Sequence, residues 1–393
     1  MQECNGWHRI GRLLIQVGSL EKAEELYTTL ISQTANDGEL ATYNHQLGLV
    51  KDSQGEYIEA LIFYQKSLDM KKKILPANHP DVATSYNDIG NAYDRMGDYS
   101  KALSSYEIAL DMREKTLPAN HPDLATSYKN IAFVCDQMGE YSKALSSYET
   151  ALDMEKKSLP ANHPDLALSY NNISHVYYHM GEYSKALSSY ETGLNIRKKS
   201  RPANHPDLAC SYGNIGIVCD QMGEYSKALS SLETALGIYK KTLPANHPDV
   251  ATCYGYIGLV YDHMGEYSKA LCSHETALDM YKKTLPANHP DVATCYGYIG
   301  NVYDHMGEYS KALSSYETAL DMRKKTLPAN HPDLATSYND IGNLYLHTGE
   351  CSKALSSYET ALGIWKQTLP ANHPHMCMVR ESIDAVKKKL STK

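Results

Sequence analysis

The chain has 393 residues, is 42% hydrophobic and 21% charged, and carries a formal net charge of -8. That composition is globular, its sign argues against nucleic acid as a partner, and no apolar run approaches the roughly 20 residues of a membrane span. Nine cysteines without a Cys-x-x-Cys pair, and a polar N-terminus without a secretory pattern, point to a reducing, cytoplasmic setting.

In chain order, two short helix pairs come first. Residues 4–36 carry Trp7, Gly11, Leu14, Gly18, Ala23 and Tyr27, and residues 38–74 carry Leu47, Gly48, Gly55, Tyr57, Ala60 and Tyr64 at matching spacings. From His79-Pro80-Asp81 a unit then recurs every 42 residues, at His121, His163, His205, His247, His289 and His331, and an eighth connector follows at His373-Pro374-His375. These units give repeats three to nine, at 80–116, 122–158, 164–200, 206–242, 248–284, 290–326 and 332–368. All sixteen prolines lie in the connectors, so no helix is interrupted by one. The reading is an all-α solenoid of antiparallel helix pairs over residues 1–374, a capping helix over 375–390 and a tail at 391–393. In the capping helix Val379, Ile383, Val386 and Leu390 fall on one stripe.

The third repeat shows why each unit is a pair. Pro80 suits a first helical turn because its missing N–H would have no partner there, and Asp81 favours the positive end of the helix dipole. Tyr86, Ile89, Gly90 and Tyr93 form one stripe, and Gly97 ends this first helix, helix A. Tyr99, Ala102, Leu103, Tyr106, Ala109 and Leu110 form the stripe of a second, helix B. One hairpin cannot bury both stripes, so neighbours must stack.

The order of Tyr86, Ile89-Gly90, Tyr93, Gly97, Tyr99, Ala102, Tyr106 and Ala109 resembles the tetratricopeptide repeat pattern, and the longer connector resembles that of kinesin light chains. The resemblance implies a right-handed superhelix whose A helices line a concave, partner-binding groove. With Tyr86 as position 4 of helix A, positions 2, 5, 9, 12 and 13 share the groove side. Positions 5 and 9 vary among copies, which nominates Asn87, Asn91, Lys129, Phe133, Asn171, His175, Asn301, Asn339 and Asn343 as partner contacts. Position 12 is aspartate in Asp52, Asp94, Asp136, Asp220, Asp262 and Asp304, and position 13 of the third repeat is Arg95. If those aspartates all face the groove they form an acidic ladder for a segment rich in Lys or Arg; the alternative is pairing with position 13 or with neighbouring helices.

The connector histidines lie on successive layers and cannot converge on one metal ion; they are assigned to turn geometry and the start of each helix. The cations at the ends of the B helices are assigned to the helix dipole. No catalytic residue, metal or cofactor is expected, since any Ser, His or Asp that looks catalytic in one repeat is copied in others. The function expected is a non-catalytic scaffold or adaptor that holds an extended or helical segment of another protein. Two alternatives stay open: a kinesin light chain-like cargo adaptor, whose partner would be a motor heavy chain but whose heptad coiled coil is not found here, and the partner-binding half of a larger enzyme such as an ADP-ribosyltransferase fusion.

Overall fold

A computed structural model describes residues 2–369 and 373–391, so the last connector's residues 370–372 and the end of the expected tail lie outside it. Among the described residues there are nineteen helices and no strand. Two compact units divide the chain, residues 1–200 and 201–393.

The first unit holds α1 (Gln2–Gln16), α2 (Leu20–Gln33), α3 (Asp37–Ser53), α4 (Tyr57–Ile74), α5 (Pro80–Arg95), α6 (Tyr99–Thr116), α7 (Pro122–Gln137), α8 (Tyr141–Ser158), α9 (Pro164–His179) and α10 (Tyr183–Ser200). The second holds α11 (Pro206–Gln221), α12 (Tyr225–Thr242), α13 (Pro248–His263), α14 (Tyr267–Thr284), α15 (Pro290–His305), α16 (Tyr309–Thr326), α17 (Pro332–His347), α18 (Cys351–Thr368) and α19 (Pro374–Ser391). Odd-numbered helices up to α17 are the A helices and even-numbered ones the B helices.

Each long repeat starts the same way. Pro80 occupies the first helical position of α5, and the Nδ1 atom of His79 accepts a hydrogen bond from the Asp81 N–H at 3.1 Å. The same cap recurs from His121, His163, His205, His247, His289 and His331 at 3.1 to 3.3 Å. The connector imidazoles are therefore N-caps, filling the place that Ser or Asp takes in most helices. Helix A ends on a glycine with left-handed φ, such as Gly97 at 75°. The N–H groups of Gly97 and Asp98 there bond back to the Asp94 and Tyr93 carbonyls, at 2.9 Å each, which satisfies the last turn.

Close approach of A to B depends on small residues. A Cβ on Gly90 would lie 2.6 Å from Cε1 of Tyr106, so the tyrosine ring of α6 occupies the space where a side chain would be. Tyr64, Tyr106, Tyr148 and Tyr190 are buried at this place in the first unit and Tyr316 and Tyr358 in the second, each ring removing roughly 150–250 Å² from water. The lysines near the ends of the B helices pack forward: Lys72, Lys156, Lys240, Lys282 and Lys324 sit over Tyr86, Tyr170, Tyr254, Tyr296 and Tyr338 of the next A helix, 4.9 to 5.2 Å from the ring centres. They add cation–π contacts between repeats to the dipole effect expected of them. At the far end of the second unit α19 covers α18, with Met376, Val379, Ile383 and Val386 buried against a cluster that includes Tyr358 and Trp365.

Candidate partner-binding face

The A helices carry the variable positions, and in the second unit they touch one another directly, α11 with α13 and α13 with α15. Side chains on this face therefore meet across repeats, and the position-12 aspartates show it. Asp220 pairs with His263 at 2.8 Å, Asp262 with His305 at 2.8 Å and Asp304 with His347 at 3.0 Å. In each case the partner is position 13 of the next A helix, 43 residues on. In the first unit Asp52 pairs with Arg95 in the same register, and Asp136 with His175 at 3.2 Å.

These pairs revise the acidic ladder. The aspartate side chains are only 6 to 9% exposed while their imidazole partners are 43 to 53% exposed. The face presents histidine rings with carboxylates behind them, so a basic segment would have to displace existing partners to reach the charge. Asp94 is different, because the next repeat supplies the uncharged Gln137 at the matching position, and burial raises the Asp94 pKa.

The position-9 residues are coupled to helix B. Asn91, Asn301 and Asn343 each accept a hydrogen bond at 2.7 Å from the hydroxyl of the core tyrosine 15 residues on, Tyr106, Tyr316 and Tyr358. Where position 9 is Ile217 the core residue is Leu232, and where it is Leu259 the core residue is His274. Position 5 is coupled in the same way over 26 residues. Lys129 bonds Glu155 at 2.7 Å, and Asn171, with its amide turned to satisfy both ends, accepts from the Arg197 guanidinium at 2.8 and 3.0 Å. Lys129 is thus a neutralised cation, and much of the variation at positions 5 and 9 is packing variation. Asn87 accepts from Asn130 of the next A helix at 3.0 Å, and Asn339 is buried. Phe133, at 44% exposed, and His175 remain as outward-facing side chains of the first unit.

In the second unit position 5 is glycine three times running, Gly213, Gly255 and Gly297, and a Cβ at each would meet nothing within 4 Å. Next to Gly213 lies a cavity of about 230 Å³ lined by Ile217, Leu232, Tyr239, Cys253 and Tyr256 among others. By sequence Gly213 belongs with the variable positions, and nothing in a single position shows that a missing side chain, over a tyrosine 26 residues on, opens a hole. Asn214, Asp249 and Thr252 also line it, so apolar and polar side chains share the cavity wall. Burial pushes the Cys253 thiol up to about 12, as it does Cys295, so neither is a thiolate at neutral pH. Among the described residues no three His, Cys, Asp or Glu side chains come together as a metal site, and no helix is long and apolar enough to cross a membrane.

A family model described as tetratricopeptide repeat matches residues 2–73, 39–115, 81–157, 123–199, 165–241, 207–283, 273–325 and 291–367. No curated protein matches. Among solved structures, the apo form of RapI is 17% identical, with 93% of this chain and 97% of that chain covered and a TM-score of 0.67. The apo form of the quorum sensor NprR from B. thuringiensis is 18% identical over 81% of this chain and 87% of that one, with a TM-score of 0.63. BtubC from P. vanneervenii is 24% identical over 58% of this chain and 91% of that one, with a TM-score of 0.50. At these identities the likeness is one of fold.

Proposed function

Because the chain belongs to the tetratricopeptide repeat family, we propose that it is a protein-binding scaffold that holds an extended or helical segment of a partner against its A helices, with the second unit as the principal receptor. The observation that carries this reading is the open strip at Gly213, Gly255 and Gly297 with the cavity beside Gly213. A glycine inside a helix costs about 1 kcal/mol relative to alanine, and here it occurs in three successive A helices at a position facing open space. The space it leaves fits a bulky aliphatic or aromatic side chain, with Ile217, Leu232 and Tyr256 as its apolar walls. The half-exposed imidazoles of His263, His305 and His347, further along the A helices, offer hydrogen bonds to the backbone or polar groups of a segment that runs that far. The eight cysteines from Cys135 onward are free, which supports a reducing, cytoplasmic setting for this role.

The test is a peptide array read with the purified chain and with Gly213→Leu. That change fills the cavity and raises helix propensity, so the variant keeps or gains thermal stability. Peptides with a bulky apolar anchor are expected to bind the original chain and to lose at least about tenfold in affinity for the variant, the worth of one well-buried side chain. Equal capture by both proteins would remove the cavity from the recognition surface.

A further inference from the structure

In the first unit one aspartate has a histidine at the matching position 13 and does not use it. Asp136 does not pair with His179, the position-13 residue of α9, but with His175 at position 9, 39 residues on. His179 turns instead toward His175, and the two Nε2 atoms lie 3.1 Å apart, one helical turn from each other. No other two histidines in the chain are four residues apart. The remaining position-9 residues of the long repeats are Asn, Phe, Ile and Leu, so the pair is particular to this repeat and not a product of the shared scaffold.

We propose that His175 and His179 chelate a single divalent transition ion of the zinc or copper type, with Asp136 as the positioning residue behind His175. Two imidazole nitrogens bound to one tetrahedral zinc at about 2.0–2.1 Å stand roughly 3.3 Å apart, so the existing separation needs to open by only a few tenths of an ångström. The Asp136 carboxylate, 3.2 Å from Nδ1, holds the proton of His175 on that nitrogen and leaves Nε2 as a bare donor atom. His179 then donates its Nε2 proton to His175 in the metal-free state. On metal binding that proton moves, by way of solvent, to Nδ1 of His179, and both Nε2 lone pairs face the ion. The His175 side chain is 52% exposed, so the ion is reachable, and its remaining positions take water or a donor atom from a bound segment. The Tyr141 ring stacks on His179 at 5.7 Å and 6°, which fixes the second ligand.

The experiment is titration of the full, tag-free and metal-stripped chain with zinc against a chromophoric chelator, beside His175→Gln/His179→Gln and Asp136→Asn. The connector histidines are common to all three proteins and give the shared background. One equivalent of zinc present in the original and absent from the double variant is expected, with affinity about tenfold or more weaker in Asp136→Asn. Helical circular dichroism and melting temperature of the double variant should match those of the original, since both imidazoles lie at the surface, and the helical signal of Asp136→Asn confirms that it is folded. Identical stoichiometry and affinity in the original and the double variant would overturn the site, and an unchanged Asp136→Asn would overturn the role of the carboxylate.

Discussion

Asp340 occupies position 6 of α17, where α7, α9 and α11 carry Asn130, Asn172 and Asn214, and the difference is a half-buried carboxyl. Burial raises its pKa to about 6, with Arg323 opposing, and Asp88 at the same place in α5 is raised to about 6 for the same first reason. A raised carboxyl pKa means that the folded chain keeps a proton which the unfolded chain has lost. The stability contribution is therefore complete below about pH 4 and disappears as pH rises through about 6. Asp340→Asn should stabilise the fold at pH 7 by at most about 3 kcal/mol, since each tenfold change in proton affinity between the folded and unfolded chain is worth about 1.4 kcal/mol, and should make no difference at pH 4. Thermal melts of the two proteins across that range check it; a gain independent of pH would point to some other cause. His274 is the opposite case. It is fully buried, neither ring nitrogen has a hydrogen-bond partner, and burial lowers its pKa to about 4, so its contribution falls away as pH drops from about 6.5 through 4. In the third, eighth and ninth repeats a tyrosine stands here over a glycine and donates to asparagine at position 9. Leu259→Asn with His274→Tyr rebuilds that pair above Gly258. The double variant should exceed the sum of the singles by about 1 kcal/mol in denaturant unfolding, and additivity would show that the pair does not form.

At the scale of the element, the helix starts and stops are legible in the sequence and the couplings between helices are not. His-Pro-Asp announces the first turn of α5 because proline, the acidic residue and the dipole all favour it, and Gly97 announces its end. The cap itself is only half legible. Sequence places the histidine in the turn, and the structure gives the atom, Nδ1, and the N–H it accepts, two residues on. His331→Ala should therefore cost about 1 kcal/mol while His331→Ser, an ordinary N-cap, should cost less, and urea melts separate the two. The face formed by the A helices is harder. A single helix pattern shows which residues share a side, but not that Asn91 is held by Tyr106 or Lys129 by Glu155, because those contacts cross from one helix to the next. The signal is present all the same: asparagine at position 9 goes with tyrosine 15 residues on, and Ile217 with Leu232. Comparing pairs of positions across the copies, in place of single positions, separates packing partners from the glycines that open the cavity.

For the molecule as a whole, repetition means that each interface in the second unit is made of nearly interchangeable parts. The segments starting at His247 and His289 differ at few positions, and α14 and α16 present almost the same stripe to the A helix that follows. Removing residues 290–331 joins His289 directly to Pro332 and keeps the connector sequence. In the shortened chain α14 would pack on α17 as α16 does now, and Asp262 would meet His347 in the register it now shares with His305. The protein loses one helix pair with its two interfaces and gains one interface of the same kind, so it should fold and melt a few degrees lower. The cavity beside Gly213 lies wholly within residues 209–256 and is untouched, so capture of a short apolar-anchored peptide should survive, while any segment long enough to reach the removed repeat should bind less tightly. Helical circular dichroism, the melting curve and peptide affinity measured on the deletion variant decide the matter. A variant that fails to fold would mean that α14 and α16 are not interchangeable, and that differences such as His274 against Tyr316 set which neighbour each repeat accepts.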